Sequence, residues 1–297
     1  MLDKLEYLIA LSREQHFGRA AETCGVTQPT LSAGIKQLEE MLGVLLVQRG
    51  SRFIGFTAEG ERTLDWARRI VGDSRAMREE INALRHGLTG QLRIAAIPTA
   101  LAMVAQLTTP FRARHPDVRF TIWSRTSIEI LTQLENLEID AGVTYLDNEP
   151  LGRVNAVPLY QESYQLLTAA DAPLGDRDRV TWKEVAQVPL CLLTPDMQNR
   201  RIIDGLLRSA GGDPHPTLES DSMILLFAHV RTGRWASVMP ARLAETLGLT
   251  ATIRAIPIVE PEAVHTIGLV VPPREPLTPL AAGLVAEAKR LAATLKA

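Results

Sequence analysis

The spacing of apolar residues in the first 60 positions predicts three short helices followed by a hairpin. Residues 2–12 carry apolar side chains at helical intervals, and residues 17–24 contain Ala20 and Ala21, which suit close helix contact. Residues 28–42 carry apolar side chains on one stripe, at Leu31, Ile35, Leu38 and Leu42. Because this stripe must be buried, the opposite face of the third helix stays free for a different contact.

Local signals mark the start of the third helix. Thr27 is a good N-cap, because its oxygen can accept a hydrogen bond from a first-turn amide, and Pro29 is tolerated in that turn. Gly25 stands where a turn residue with positive φ would end the preceding helix. Helix, glycine-containing turn and helix make the helix-turn-helix plan. Two short apolar segments around the polar turn 48–52 then predict a hairpin wing.

These elements predict a DNA-binding unit over residues 1–57. The outward helix face is small and polar enough to approach base edges, and two arginines on the wing would reach phosphate or the minor groove. The predicted DNA-binding residues are Thr27, Gln28, Pro29, Thr30, Ser32, Ala33 and Lys36 on the helix, with Arg49 and Arg52 on the wing. The alternative is that residues 28–42 form an amphipathic surface helix without a DNA contact.

Residues 16–60 resemble the LysR-type transcriptional regulators. The residues that carry the resemblance are Phe17, Ala20, Ala21, Val26, Thr27, Gln28, Pro29, Leu31, Ser32, Ile35, Leu38, Glu39, Leu42, Gly43, Leu46, Arg49, Arg52, Thr57 and Gly60. The resemblance implies a ligand-responsive regulator that binds double-stranded DNA at an interrupted palindrome. It also implies a homotetramer built as a dimer of dimers, and a contact with RNA polymerase.

Residues 58–87 predict a long linker helix that starts after Thr57. Its apolar positions alternate steps of three and four, at Ala67, Ile70, Ser74, Met77, Ile81, Leu84 and Leu88. This spacing is typical of a coiled-coil seam and indicates a dimerisation helix. The alternative is that the helix packs against the C-terminal domain of its own chain.

From residue 91 onward, strands alternate with helices, which predicts a parallel sheet covered by helices. In LysR-type regulators the corresponding region resembles periplasmic solute-binding proteins, with two α/β subdomains joined by crossing strands. The predicted fold is therefore α/β with an all-α-rich N-terminal domain, and residues 88–297 form the effector-binding domain. We expect subdomain I at about 88–161 and 267–297, and subdomain II at about 162–266. The crossings are expected near 158–164 and 258–267, and a strand near 164–169.

A small-molecule effector is expected beyond the carboxyl ends of the strands, where helix N-termini offer unpaired amides. The predicted effector-binding residues are Pro98, Thr99, Ala100, Arg125, Thr126, Ser127, Thr144, Gln198, Asn199, Arg200, Ser222 and His265. Their hydroxyls and amides suggest a small anionic metabolite, with Arg125, Arg200 or His265 as counter-charge. The alternative is that the serines and threonines are ordinary helix N-caps.

Two segments add a narrower resemblance. Residues 194–201, TPDMQNRR, and residues 97–100, IPTA, are similar to the LysR-type regulator associated with operons for soluble NAD-dependent formate dehydrogenase. This resemblance implies formate as the effector.

Composition and motifs narrow the function further. The net charge is -2, so cations for DNA must be clustered on one face. The two cysteines, Cys24 and Cys191, lie in unrelated contexts and predict buried free thiols, and the six scattered histidines show no metal-ligand spacing. We find no catalytic motif, and we expect no enzyme activity, no catalytic residues and no cofactor. The N-terminus has no apolar run long enough for a signal peptide or membrane span, which predicts a cytoplasmic protein without a membrane contact.

Overall fold

The computed structural model describes residues 1–49, 53–249 and 252–296. These residues divide into two compact units. The first unit contains residues 1–87 with the short segments Glu135–Glu138 and Pro276–Pro279, and the second unit contains the rest of the chain from Leu88 onward.

The first unit is a winged helix-turn-helix followed by a long helix. Its elements are α1 (Leu2–Glu14), α2 (Phe17–Thr23), α3 (Gln28–Leu42), β1 (Val47–Arg49), β2 (Phe53–Phe56) and α4 (Ala58–His86). The bounds of α3 match those predicted from its apolar stripe. Leu31, Ile35 and Leu38 of that stripe are fully buried in one core that also contains Leu8 and Leu11 of α1.

The predicted helix caps of the first unit are confirmed. The side-chain oxygen of Thr27 accepts a hydrogen bond from the backbone nitrogen of Thr30 at 3.4 Å. Thr57 caps α4 in the same way, by accepting from the nitrogen of Gly60 at 2.9 Å. Gly25 has a φ of 67°, the left-handed conformation predicted for the turn between α2 and α3.

The long helix α4 has two different faces. Leu64, Ala67 and Val71 are buried in the core of the first unit. Farther around the helix, and toward its C-terminal end, large apolar side chains are exposed, namely Trp66, Ile70, Met77, Ile81 and Leu84. The prediction that Ala67 belongs to an outward seam was therefore wrong, because this residue packs into its own unit. The exposed stripe runs from Trp66 instead.

The second unit begins with three strands and two helices. They are β3 (Gly90–Ala96), a 3-10 turn (Pro98–Ala100), α5 (Leu101–Arg114), β4 (Val118–Ser124), α6 (Ser127–Glu135) and β5 (Ala141–Tyr145). The chain continues through β6 (Asn155–Ala169), β7 (Val180–Thr181), α7 (Trp182–Val185), β8 (Cys191–Leu193), α8 (Gln198–Ser209), β9 (Leu218–Ser220), α9 (Met223–Val230), β10 (Ser237–Pro240), α10 (Ala241–Thr246), β11 (Ile253–Val259), β12 (Val264–Val271) and α11 (Pro279–Lys296). These elements form two α/β subdomains.

One sheet connects the two subdomains. Its strand order is β4-β3-β5-β12-β6-β11-β7, with β10 also paired to β6. Strand β6 joins the halves, because residues 155–163 pair with β12 and residues 164–169 pair with β10 and β11. The predicted strand at 164–169 is thus only the second part of one continuous strand of 15 residues.

The carboxyl ends of β3, β4 and β5 lie at a common edge, because β3 is parallel to both neighbours. The 3-10 turn follows β3 and α6 follows β4 at this edge. Within the described residues, no helix has both the length and the apolar character needed to cross a membrane.

Candidate functional site

The outward face of α3 is free for contact. Gln28, Pro29, Thr30, Ala33 and Lys36 are exposed, as is Thr27, and Ser32 is half-buried. The structure therefore separates the predicted DNA-facing residues from the apolar stripe on the same helix. Lys36 lies 3.9 Å from Glu40, and both side chains are more than 60% exposed, so this ion pair is too weak to prevent a phosphate contact.

Close packing fixes the position of α3 in its unit. A Cβ atom on Gly34 would lie 2.7 Å from the ring of Tyr7 in α1. A side chain at position 34 would thus push the two helices apart. The glycine therefore sets how far the outward face of α3 projects.

The wing is held by a carboxylate that the sequence analysis did not single out as functional. Glu39 is 5% exposed, and its Oε1 accepts hydrogen bonds from the backbone nitrogens of Leu46 at 2.9 Å and Val47 at 3.1 Å. Thr57 donates its hydroxyl to the carbonyl oxygen of Leu45 at 2.7 Å. An acidic residue beside the apolar stripe of α3 is the signal that could have identified Glu39.

Of the two predicted wing arginines, Arg49 lies within the described residues. Strands β1 and β2 pair antiparallel, with Val47 opposite Phe56 and Arg49 opposite Phe53. Arg49 therefore belongs to the wing as predicted. Arg52 lies outside the described residues.

Three buried hydroxyl groups at the shared strand edge have no hydrogen-bond partner among the described residues. They belong to Thr99, Ser127 and Thr144, each at most 4% exposed, and we call them the hydroxyl cluster. Thr99 lies in the 3-10 turn after β3, Ser127 begins α6, and Thr144 lies near the end of β5. Pro98 and Ala100 are buried on either side of Thr99. Since burying an unpaired hydroxyl costs free energy, a polar molecule placed at this edge would satisfy these groups.

Two other predicted ligand contacts are helix caps. The side chain of Thr126 accepts from the nitrogen of Glu129 at 3.1 Å, and the Glu129 carboxylate accepts from the nitrogen of Thr126 at 2.8 Å. Ser222 accepts from the nitrogen of Leu225 at 3.4 Å at the start of α9. The alternative interpretation as ordinary N-caps therefore describes Thr126 and Ser222.

The three predicted counter-charges differ in their surroundings. Arg200 is 4% exposed and donates to Asp204 and Glu219 at 2.6 Å and to the carbonyl oxygen of Leu193 at 2.7 Å. Its charge is therefore already compensated by two carboxylates.

His265 lies 3.0 Å from the Asp147 carboxylate through Nδ1. Arg125 is half-buried and donates to the carbonyl oxygen of Ser124 at 2.8 Å. Within the described residues Arg125 forms no ion pair, so it is the predicted cation that remains available to an anion.

Helix α8 contacts the first subdomain through its first turn. Asn199 donates to the hydroxyl oxygen of Tyr145 at 3.0 Å, and Gln198 donates to the carbonyl oxygen of Asp147 at 3.1 Å. Arg201 forms a two-point ion pair with Glu149 at 2.7 and 2.8 Å. The predicted residues Gln198 and Asn199 thus join the two subdomains.

A buried carboxyl group that the sequence analysis missed lies beside these contacts. Glu162 of β6 is 1% exposed and accepts a hydrogen bond from the hydroxyl of Tyr145. Burial and the nearby Asp147 charge raise the pKa of Glu162 to about 8, although the Tyr145 hydrogen bond opposes this shift. Burial also raises the pKa of Tyr145 well above its ordinary value. The alternation Tyr160, Glu162, Tyr164 is a weak signal, because it would also fit an exposed strand.

No group of three or more potential ligands that could hold a metal ion is found among the described residues. Both cysteines are free thiols. Burial raises the pKa of Cys191 to about 11, and it raises the pKa of Cys24 as well.

Two protein families match the chain. The bacterial regulatory helix-turn-helix protein, lysR family, matches residues 2–61. The LysR substrate binding domain matches residues 85–293.

Relatives match over nearly the whole chain. The DNA-binding transcriptional dual regulator OxyR of Escherichia coli (strain K12) is 30% identical over 92% of this chain and 90% of that protein. The hydrogen peroxide-inducible genes activator of Dickeya chrysanthemi is 29% identical over the same shares of the two chains. These relatives do not support the expected resemblance to the formate dehydrogenase branch.

Solved structures show the same fold. A full-length OxyR variant from Pseudomonas aeruginosa has a TM-score of 0.75 and 28% identity, and the match covers 98% of each chain. The LysR family regulator CbnR complexed with its target DNA has a TM-score of 0.60 and 23% identity, with coverage of 98% and 99%.

Proposed function

The chain belongs to the LysR family of DNA-binding transcriptional regulators, and we propose that it controls a metabolic operon in response to a small polar molecule. The observation that carries this proposal is that two separate surfaces of the chain have the chemistry for two different contacts. The first unit presents an exposed polar face on α3, and the second unit contains the hydroxyl cluster of Thr99, Ser127 and Thr144. One surface suits DNA, and the other suits a ligand.

In the proposed mechanism, two α3 helices of a dimer enter successive major grooves of an interrupted palindrome. Gln28, Ser32, Ala33 and Lys36 lie closest to bases or neighbouring phosphates, while Thr27, Pro29 and Thr30 approach the backbone at the helix start. Arg49 and Arg52 of the wing contact phosphate or the minor groove. The regulator then acts in the cytoplasm and contacts RNA polymerase at its target promoter.

The exposed stripe of α4 supports a dimer. Trp66, Ile70, Met77, Ile81 and Leu84 recur at steps suited to a helix pair, and all of them are at least 38% exposed. A second copy of α4 would bury this stripe. Two such dimers would form the homotetramer that the family resemblance implies.

The proposed ligand is a small polar molecule held by the hydroxyl cluster. Small carboxylates remain the first class to test, because Arg125 is the cation available to them and because α6 begins at the cluster. Formate is one member of that class. Ligand binding must favour one arrangement of the subdomains over another in order to change DNA binding.

The names of the relatives suggest a second candidate function, a response to hydrogen peroxide. A response through thiol oxidation needs an accessible cysteine with a lowered pKa. Cys191 is fully buried, and the pKa values of Cys191 and Cys24 are both raised. These cysteines therefore favour a non-covalent ligand over a thiol oxidant.

The proposal is tested with the 297-residue chain and the DNA that flanks its gene. Fluorescence anisotropy would be measured over a range of salt concentrations, with formate, other small carboxylates, uncharged polar metabolites and hydrogen peroxide added one at a time. Specific binding that weakens with salt and changes with one non-oxidising compound supports the proposal. Absence of specific binding contradicts the DNA function, and a change with peroxide alone contradicts the proposed ligand class.

A further inference from the structure

The second unit contains a hydrogen-bonded chain between its two subdomains that the ligand proposal does not use. Asn199 at the start of α8 donates to Tyr145 at the end of β5, and Tyr145 donates to Glu162 on β6. We call these three residues the Tyr145 bridge. Strand β6 runs from one subdomain into the other. Any relative movement of the subdomains would therefore change the surroundings of Glu162.

Glu162 is buried without a cation. Its Oε2 atom has no hydrogen-bond partner and its carboxylate has no ion pair within the described part of the chain. An ionised carboxylate in such a place loses its hydration and keeps only the Tyr145 hydrogen bond as compensation, which is costly. The neutral acid is therefore the form that fits this arrangement.

The charged and titratable groups around Glu162 do not alter this conclusion. From the β5 side the neighbours are Tyr145 and the acidic Asp147, whose charge opposes ionisation of Glu162. From β12, His265 stands opposite Glu162 in the strand pairing and is hydrogen-bonded to Asp147.

On β6 itself the titratable neighbours are Tyr160 and Tyr164, and Arg242 of α10 lies over the Tyr160 ring at 5.0 Å from its centre. On α8, Arg200 forms ion pairs with Asp204 and Glu219. Arg201, also on α8, forms an ion pair with Glu149. All three arginines therefore have other contacts.

We propose that the Tyr145 bridge is a proton-dependent contact that holds the two subdomains together, and that protonation of Glu162 strengthens it. When the subdomains separate, water reaches Glu162 and the carboxyl group ionises in the ordinary acidic range. The carboxylate then opposes re-closure, because closing would bury its charge. Closure therefore takes up one proton at Glu162, and opening releases it to solvent.

The direction of the pH effect follows from proton binding in the two arrangements. The closed arrangement keeps its proton up to about pH 8, whereas a solvated glutamate has an ordinary pKa near 4.5. Closure is therefore strongest below pH 4.5, weakens as pH rises to 8, and changes no further above 8. Within that window the ratio of closed to open changes by up to about tenfold per pH unit.

Hydrogen-deuterium exchange of the 297-residue chain, read by mass spectrometry at several pH values from 5.5 to 9, tests the proposal. After correction for intrinsic rates, exchange in the peptides around Asn199 and around Tyr145 should rise by up to about tenfold per pH unit and level off above pH 8. Peptides from α5 serve as the internal control and should not follow this course.

The variants E162Q, Y145F and N199A separate the bridge from a general effect of pH. E162Q keeps a neutral group of the same shape, so its α8 exchange should be slow and independent of pH. N199A and Y145F break the bridge, so their α8 exchange should be fast at every pH. An unchanged pH course in E162Q or in N199A overturns the proposal, as does an equal rise in α5. Circular dichroism identifies any variant that does not fold, and the variants that do fold still test the proposal.

Discussion

The carboxylate of Glu39 accepts a hydrogen bond from the backbone nitrogen of Leu46 at 2.9 Å. The same oxygen accepts from the nitrogen of Val47 at 3.1 Å. The last turn of α3 is thereby connected to the first residues of the wing. Both elements carry predicted DNA contacts, so a single buried side chain sets the position of one relative to the other.

We expect Glu39→Ala to lower the free energy of unfolding of the first unit by about 2 kcal/mol, because two buried backbone donors lose their acceptor. Urea unfolding followed by circular dichroism measures the change. Glu40→Ala is the matched control, since Glu40 is exposed on the same helix and its removal should cost less than about 0.5 kcal/mol. Equal losses in the two variants would contradict the role assigned to Glu39.

Gln28→Ala tests the outward face of α3. Gln28 is exposed at the start of the helix, where a glutamine can read a base edge through two hydrogen bonds. We expect specific DNA affinity to fall by about 1–3 kcal/mol, with unchanged unfolding and oligomeric state. Gln106→Ala, an exposed glutamine on α5, is the control and should leave DNA affinity unchanged. Wild-type affinity in the Gln28 variant would show that this face is wrongly assigned.

The sequence predicted α3 and its caps well because their signals are local. An apolar stripe, a capping threonine and a glycine with positive φ each act within a few residues. Strand β6 was predicted in two pieces, a crossing near 158–164 and a strand at 164–169, because residues 155–163 combine exposed and buried positions and contain Pro158. The two-residue strand β7 and the four-residue helix α7 are too short to show a period.

The predictions for the candidate site also differ according to whether their signals are local in the sequence. Thr99, Ser127 and Thr144 were selected because they lie at or just beyond predicted strand ends, and topology brings such ends together. Arg200 was proposed as a counter-charge, yet Glu219 compensates it from a distant part of the sequence. Glu162 was missed for a similar reason, because its burial depends on three-dimensional packing.

Gly142→Ala probes the packing of β5, the strand that also carries Thr144. A Cβ atom on Gly142 would lie 2.3 Å from Ile130 of α6 and 3.0 Å from Val270 of β12. We expect the free energy of unfolding of the second unit to fall by about 1–3 kcal/mol. Gly205→Ala, at an open position of α8, is the control and should raise it by up to about 1 kcal/mol. Chemical denaturation measures both, and a stable Gly142 variant would contradict the close approach.

Cys191 should be unreactive in the folded protein. Its thiol is fully buried and lies 3.5 Å from the carbonyl oxygen of Ala236, and its pKa is raised to about 11. Titration with a thiol reagent at pH 7 should label Cys191 only after unfolding. The Cys191→Ala variant identifies the signal of Cys191. Rapid labelling of the native chain at this position would support a peroxide response through thiol oxidation.

The stability of the second unit should decrease as pH rises from 5 to 8. Over this range folded Glu162, with a pKa of about 8, keeps a proton that the unfolded chain has lost, so the free energy of unfolding falls by up to about 1.4 kcal/mol per pH unit. Glu162→Gln cannot lose a proton, so the wild type should lose stability relative to this variant as pH rises. Exposed Glu245→Gln is the control and should give a curve parallel to the wild type. Thermal unfolding at unit pH intervals measures all three, and a constant difference between wild type and Glu162→Gln would show that Glu162 is ionised in the folded protein.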